Sequence, residues 1–255
     1  MNALEITDLA VRYGRTRVVD RVSLSVPKGR TVGLVGESGS GKSTIAAAAV
    51  GLVRPEAGSI RVDGVEATGG GAAARRARRR MQLVFQDPFS ALDPLMPIGD
   101  SIAEALRATG RRWTRAERVA RVRQLLAQVH LDPDRAGDRP GAFSGGQRQR
   151  ITIARALAGE PSVLIADEVT SALDVSVQGA ILNLLREVQQ ELGLSMLFIS
   201  HNLAVVRYIS DEVCVMRHGS LVEAGPTEAL LENPADPYTR DLLDAVPVLG
   251  ERMRF

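Results

Sequence analysis

The sequence is poor in cysteine, lysine and aromatic residues. Among 255 residues there is one cysteine, Cys214, and aromatic side chains make up 4%. One cysteine can close no internal disulfide and can build no cysteine-based metal cluster, so a reducing, cytosolic setting is expected. The apolar run "EVCVMRHG" around it reads as a buried strand. Lysine occurs twice, at Lys28 and Lys42, against thirty arginines. Long hydrophobic runs are missing too. The longest clearly apolar stretch, "IAAAAVGLV" at 45–53, falls far short of the ~18–20 residues that span a bilayer. The N-terminal "MNALEITDLAVRYG" alternates like a strand and has no signal-peptide character. The chain is therefore expected to be soluble or peripheral to a membrane. A formal net charge of only +2 gives little support to a nucleic-acid partner.

What is present is 45% apolar residues, enough to core one large α/β domain or two small ones. Strands are predicted in "ALEITDLAVRYG", "RVVDRVSLSVPKG", "RTVGLVGES" and "GSIRVDGVEA", with turn signals between them. A loop rich in Gly and Ala leads to the basic run "ARRARRR" at 74–80, then a strand, "MQLVFQ". Residues from about 98 to 160 show three-and-four apolar spacing and read as helical. "PSVLIADE" and "LSMLFISHN" are buried-strand runs, separated by the helix "SVQGAILNLLREVQQELG". "DEVCVMRHGSLVEAG" reads as a hairpin around His218-Gly219, and short helices follow. Such alternation predicts a mainly parallel sheet with ligands at the carboxyl ends of its strands.

Gly36-Glu37-Ser38-Gly39-Ser40-Gly41-Lys42-Ser43 fits G-x-x-x-x-G-K-[ST] in full, between a predicted strand and a predicted helix. Glycines let backbone N–H groups close around a β-phosphate; Lys42 can reach the β- and γ-phosphates, and Ser43 can ligate Mg²⁺. One of only two lysines thus sits where a compact ammonium is needed. Thr44 extends this segment. The strand "VLIAD" ends in Asp167, followed at once by Glu168. A strand-end Asp suits a Mg²⁺ role, and a second carboxylate beside it suits general-base work. A second glycine-rich helix start, "GAFSGGQRQRITIARAL" at 141–157, contains no lysine. It suits an anion by its free N–H groups and helix dipole.

In this order the motifs resemble the ATP-binding cassette (ABC) ATPase family over nearly the whole chain. Gln86 in "FQD" falls at the family's Q-loop, and Ser144, Gly145, Gly146 and Gln147 at its signature. "SALD" at 171–174, with Asp174, falls at the D-loop, His201 at the H-loop, and Tyr13 where the family stacks an aromatic on adenine. Phe143 stands for the usual leucine before the signature, and Val169 for the proline after the carboxylates. The resemblance implies an α/β fold of the P-loop NTPase type. Its parts would be a RecA-like, mainly parallel sheet core, an antiparallel β subdomain and an inserted helical subdomain at about 88–160, all within 1–231. It implies ATP and Mg²⁺ as cofactors. Ser43, Gln86 and Asp167 would be at the metal; Glu168, His201 and Gln86 would be at the reaction. Asp174 would meet a partner subunit, and the signature would face the γ-phosphate held by that subunit.

Finer features look like the ATPases of oligopeptide, dipeptide and nickel importers. These include "MQLVFQDPFSALDP", "ADEVTSALDVSVQ" and the tail "NPADPYTRDLLDAVP" within 232–255, in which Asp236 replaces a histidine. Without further cysteines, the chain looks like a short form lacking an iron–sulfur site. The implied partners are a second ABC ATPase (a sister protein, or a copy of this chain), two membrane permease subunits and, indirectly, an extracytoplasmic substrate-binding protein. No nucleic acid is expected. The implied place is the cytoplasmic face of the membrane. The groove around Asp87 to Asp93 would receive the permease. Two other readings stay open: an ABC ATPase of DNA repair, chromosome structure or translation, which "ARRARRR" invites, and a phosphate-loop kinase, which leaves SGGQ unexplained.

Overall fold

The computed structural model describes residues 1–171 and 173–244. Strands β1 (Asn2–Tyr13) and β2 (Thr16–Pro27) form a hairpin. They are followed by β3 (Thr31–Val35), helix α1 (Lys42–Ala49), and strands β4 (Ala57–Val62) and β5 (Val65–Glu66). Helix α2 (Ala72–Arg79) and β6 (Met81–Val84) lead into α3 (Pro88–Ala91), α4 (Ile98–Ala105), α5 (Arg115–Gln128) and α6 (Gly145–Ala158). The chain then runs through β7 (Val163–Asp167), α7 (Val175–Leu192), β8 (Ser195–Ser200), α8 (Leu203–Ile209), β9 (Glu212–Arg217) and β10 (Ser220–Pro226). It closes with α9 (Thr227–Glu232) and α10 (Pro237–Asp244).

Two sheets result. One is antiparallel, in the order β2-β1-β4-β5; the other runs β10-β9-β3-β8-β7-β6 and is parallel except for β10. The central strands β3, β7 and β8 are buried along their whole length, as parallel strands covered on both faces must be. Their alternate residues serve different cores. Leu164, Ala166, Met196 and Phe198 join a core with α4, α5 and α6, whereas Val163, Ile165, Leu197 and Ile199 join one with α1 and the antiparallel sheet. Helices α4, α5 and α6 therefore share a hydrophobic core with the sheet that carries the phosphate loop.

The β9–β10 hairpin forms around the anticipated turn. His218 and Gly219 have φ of 46° and 86°, between paired Arg217 and Ser220, the geometry of a tight hairpin turn matched to strand twist. The basic run, to which the sequence assigns no element, is helical. Residues 72–79 form α2, because alanine is the best helix former and Ala74 and Ala77, one turn apart, are both buried. Arg78 turns back to donate to the carbonyls of Ala67 and Gly69, and Arg80 pairs with Asp63 at 3.0 Å. Of the predicted D-loop, Ala172 lies outside the described residues, as do residues 245–255 of the tail.

Candidate nucleotide site

The carboxyl ends of β3, β7 and β8 lie side by side, and each delivers one part of the site. After β3 the chain turns at Gly36, with φ of 152°; a Cβ there would stand 2.0 Å from the Met216 carbonyl oxygen. Only glycine fits, so the start of the loop is pressed against the β9–β10 hairpin. The hairpin also supports the loop directly, since Gly219 N–H donates to the Ser40 carbonyl at 3.0 Å. Lys42 opens α1 and is 4% exposed. Its ammonium donates to the carbonyls of Gly36 and Glu37, both at 2.7 Å, and to Ser40 Oγ at 3.4 Å. Burial pulls its pKa below the usual lysine value, while Glu168, Asp167 and Glu37 pull it back up.

Asp167 ends β7 and accepts from Ser43 Oγ at 3.2 Å. Burial raises its pKa; the Ser43 hydrogen bond and Lys42 oppose that, and the neighbouring Glu168 adds to it. Glu168 has φ of 49°, a left-handed conformation uncommon outside glycine. Its N–H donates to the Ile199 carbonyl of β8 at 2.9 Å, which fixes the turn. Such strain persists where surrounding structure over-determines it, commonly at functional sites. The turn leaves the Glu168 side chain 17% exposed, with Oε1 3.2 Å from Nδ1 of His201 just beyond β8. Gln86, two residues beyond β6, donates from Nε2 to Ser171 Oγ at 3.1 Å; Ser171 Oγ donates to the Glu168 carbonyl at 2.9 Å.

Val18, Ser38, Gly39, Gly41, Lys42, Ser43, Thr44, Gln86 and Glu168 line one cleft of about 360 Å³. The anticipated phosphate loop, carboxylates, Gln86 and His201 are thus brought together. Two sets stand apart from that lining. Tyr13 is half exposed at the β1–β2 turn, and it is Val18 of β2 that reaches the cleft. The signature residues do not line the cleft either. Ser144 caps α6 by accepting from Gln147 N–H at 3.3 Å, and Gln147 Oε1 accepts from Ser144 N–H at 3.0 Å, a complete capping box. Gly145 and Gly146 open the helix, and a Cβ on Gly146 would stand 2.5 Å from Val177 Cγ1. Asp174 precedes α7 with no side-chain cap bond.

Sequence reasoning passed over Ser171, which bridges Gln86 to Glu168, and Tyr238 of α10. The Tyr238 hydroxyl accepts from the Glu37 N–H at 3.1 Å. The short "SALD" motif contains the first and the tail segment "NPADPYT" the second, but nothing local points to the contact of Tyr238 with the loop. Its approach to the loop depends on how the chain returns.

Chemically, the cleft offers backbone N–H groups at a helix start, one ammonium, and the oxygen of Ser43, with the Asp167 carboxylate bonded to it. This is an arrangement for a nucleoside triphosphate. The donor set suits Mg²⁺, a hard cation usually held by one or two carboxylates or hydroxyls together with phosphate oxygens. Among the described residues no cluster of three His, Cys, Asp or Glu side chains could hold a metal by itself. Fold and cleft together define a P-loop nucleotide-binding ATPase.

Comparison with known proteins narrows the class. Residues 19–171 match the family model described as ABC transporter, and 222–254 match the model of the oligopeptide/dipeptide transporter C-terminal region. The chain is 50% identical over 249 residues to a Brucella ovis protein named for peptide import ATP-binding, covering 96% of this chain and 78% of that one. A similarly named Brucella abortus protein is 52% identical over 233 residues, covering 91% and 70%. Among solved structures, cbiO1 from Clostridium perfringens, part of the ABC transporter complex cbiONQ, superposes with a TM-score of 0.82 at 26% identity, covering 91% of each chain. A dimeric ATP-binding cassette in a post-hydrolysis state, bound to ADP and Pi, gives 0.77 at 26% identity, covering 88% and 98%. The chain belongs to the ABC transporter family, as an ATP-binding, ATP-hydrolysing cassette. No helix among the described residues is long and apolar enough to cross a membrane.

Proposed function

We propose that this chain energises uptake of peptides by hydrolysing Mg²⁺-bound ATP on the cytoplasmic face of the membrane, attached to a permease made of other chains. The convergence of Lys42, Ser43, Gln86 and Glu168 in one cleft, with Asp167 and His201 bonded to two of them, supports the ATPase chemistry. The match of the C-terminal region, and the peptide-import names of relatives at about half identity, support the cargo class.

In this mechanism Lys42 exchanges the Gly36 and Glu37 carbonyls for phosphate oxygens. Ser43, Asp167 and Gln86 would hold Mg²⁺. Bound there, Mg²⁺ would neutralise charge on the phosphates. Glu168 accepts the proton of the attacking water, and His201 keeps that carboxylate aimed. Tyr13 lies at the base's side of the nucleotide. Ser144, Gly145, Gly146 and Gln147 present the N-terminus of α6 to the γ-phosphate held by a second cassette, and Asp174 meets that subunit. The capping box supports this reading, because it holds the α6 N-terminus rigidly while the signature lies outside this chain's own cleft. The second cassette is a sister protein or a copy of this chain. Two permease subunits take up the motion through the groove beside Gln86, and an extracytoplasmic substrate-binding protein delivers cargo.

The test is ATPase activity of the complex reconstituted with its permease and binding protein. Stimulation by short peptides and not by Ni²⁺ is expected. Stimulation by Ni²⁺ alone would overturn the peptide assignment.

A further inference from the structure

Helix α10 reaches the phosphate loop. Tyr238 is 4% exposed, and its hydroxyl accepts the Glu37 N–H at 3.1 Å. That N–H belongs to the peptide unit whose carbonyl is that of Gly36, and the Gly36 carbonyl accepts from Lys42 at 2.7 Å. One peptide plane is therefore clamped on both sides, by Lys42 on its oxygen and by Tyr238 on its nitrogen. The plane needs holding, because Gly36 sits at φ 152°, where no side chain restricts rotation.

When Lys42 turns to phosphate it releases the carbonyl, and Tyr238 becomes the side-chain anchor left on this unit. The ring itself is fixed from several directions. Tyr238 N–H donates to Asp236 Oδ1 at 2.8 Å, and the Arg217 guanidinium lies over the ring, 4.6 Å from its centre. Glu223 of β10 accepts from Ala235 N–H at 2.8 Å and Asp236 N–H at 3.2 Å, tying the segment before α10 to the sheet.

We infer that Tyr238 is a positioning residue of the ATPase site, holding the Gly36–Glu37 peptide with its carbonyl turned toward Lys42 while that ammonium changes partners. The inference rests on the reading of the cleft as the ATP site. It gives the tail a task in this chain's own chemistry, separate from any contact with a permease.

The experiment uses the full chain and two substitutions. Tyr238→Phe removes the acceptor and keeps the ring. Glu37→Pro removes the donor. For Tyr238→Phe, loss of one net hydrogen bond should raise the Kd and KM for ATP by about three- to tenfold. kcat should stay close to wild type, and Tm should fall by about 2–4 °C, because the bond is also present in the nucleotide-free chain. In the Glu37→Pro background the same Tyr238→Phe change should alter KM by less than about twofold, because the bond is already gone. Unchanged ATP affinity in Tyr238→Phe, a fall in Tm without a change in KM, or the same KM effect in the Glu37→Pro background would each overturn the role. Absence of saturable ATP binding by the wild-type chain would overturn the underlying site reading as well. Wild-type binding with an indifferent Tyr238→Phe removes Tyr238 alone.

Discussion

Replacing Glu168 by Gln isolates one atom's chemistry. The amide has the size of the carboxylate and can keep an oxygen near His201 Nδ1, now 3.2 Å away. The backbone that aims it, with φ 49° and its N–H on the Ile199 carbonyl, does not depend on side-chain charge. Only the capacity to take a proton is lost. A positioned acid–base group contributes about 10²- to 10⁴-fold, so hydrolysis should fall at least ~100-fold, or about 2.7 kcal/mol in the barrier. ATP binding should survive and tighten. Glu168 is one of the carboxylates whose charge acts on Lys42 and Asp167, and removing it lessens repulsion toward a triphosphate. The assay is phosphate release alongside an equilibrium ATP titration on the same preparation. A variant that hydrolyses ATP within about threefold of wild type would refute the assignment of Glu168 as base.

Asp167→Asn should lower hydrolysis yet stabilise the nucleotide-free fold. Burial raises the Asp167 pKa above 3.8, so the folded chain holds that proton more tightly than the unfolded one. Stability therefore falls as pH rises from 3.8 through the folded value. A gain of about 1 kcal/mol, or ~2–4 °C in Tm, is expected at pH 7 and should vanish in acid; thermal scans at both pH values check it. Gly36→Ala should abolish ATP binding while leaving far-UV circular dichroism intact, because its Cβ would meet the Met216 carbonyl at 2.0 Å. Cys214 is 7% exposed and its pKa is pushed up to about 12 by burial. The native chain should resist alkylation at pH 8 and react only when unfolded, which mass spectrometry can follow.

Much of this site is legible in residue order because its chemistry is local. The phosphate loop needs glycines, one ammonium and one hydroxyl within a few residues, and a strand must end at Asp167-Glu168. Strand positions follow for the same reason: alternate residues of β7 and β8 feed two cores, and the apolar runs record that burial. What escaped depends on non-local approach. Gly36 must be glycine because of Met216, and Tyr238 matters because of Glu37. Both contacts join segments about two hundred residues apart. Helix α2 escaped for another reason. Its exposed arginines hide an i, i+3 alanine stripe whose burial is visible only once the neighbouring strands are in place. Val18 rather than Tyr13 reaches the cleft because the β1–β2 hairpin carries Tyr13 to its exposed end.

On the proposed function, one chain holds two half-sites, a phosphate cleft and an α6 N-terminus outside that cleft, which would complete each other only between cassettes. The most direct measurement is ATPase activity across fractions of known mass. Activity should appear only where two cassettes are paired, either two copies or this chain with a sister. Ser144→Asp, which keeps a capping side chain but sets a negative charge at that N-terminus, should remove it. A monomeric fraction hydrolysing ATP at the full rate, indifferent to Ser144→Asp, would contradict the account.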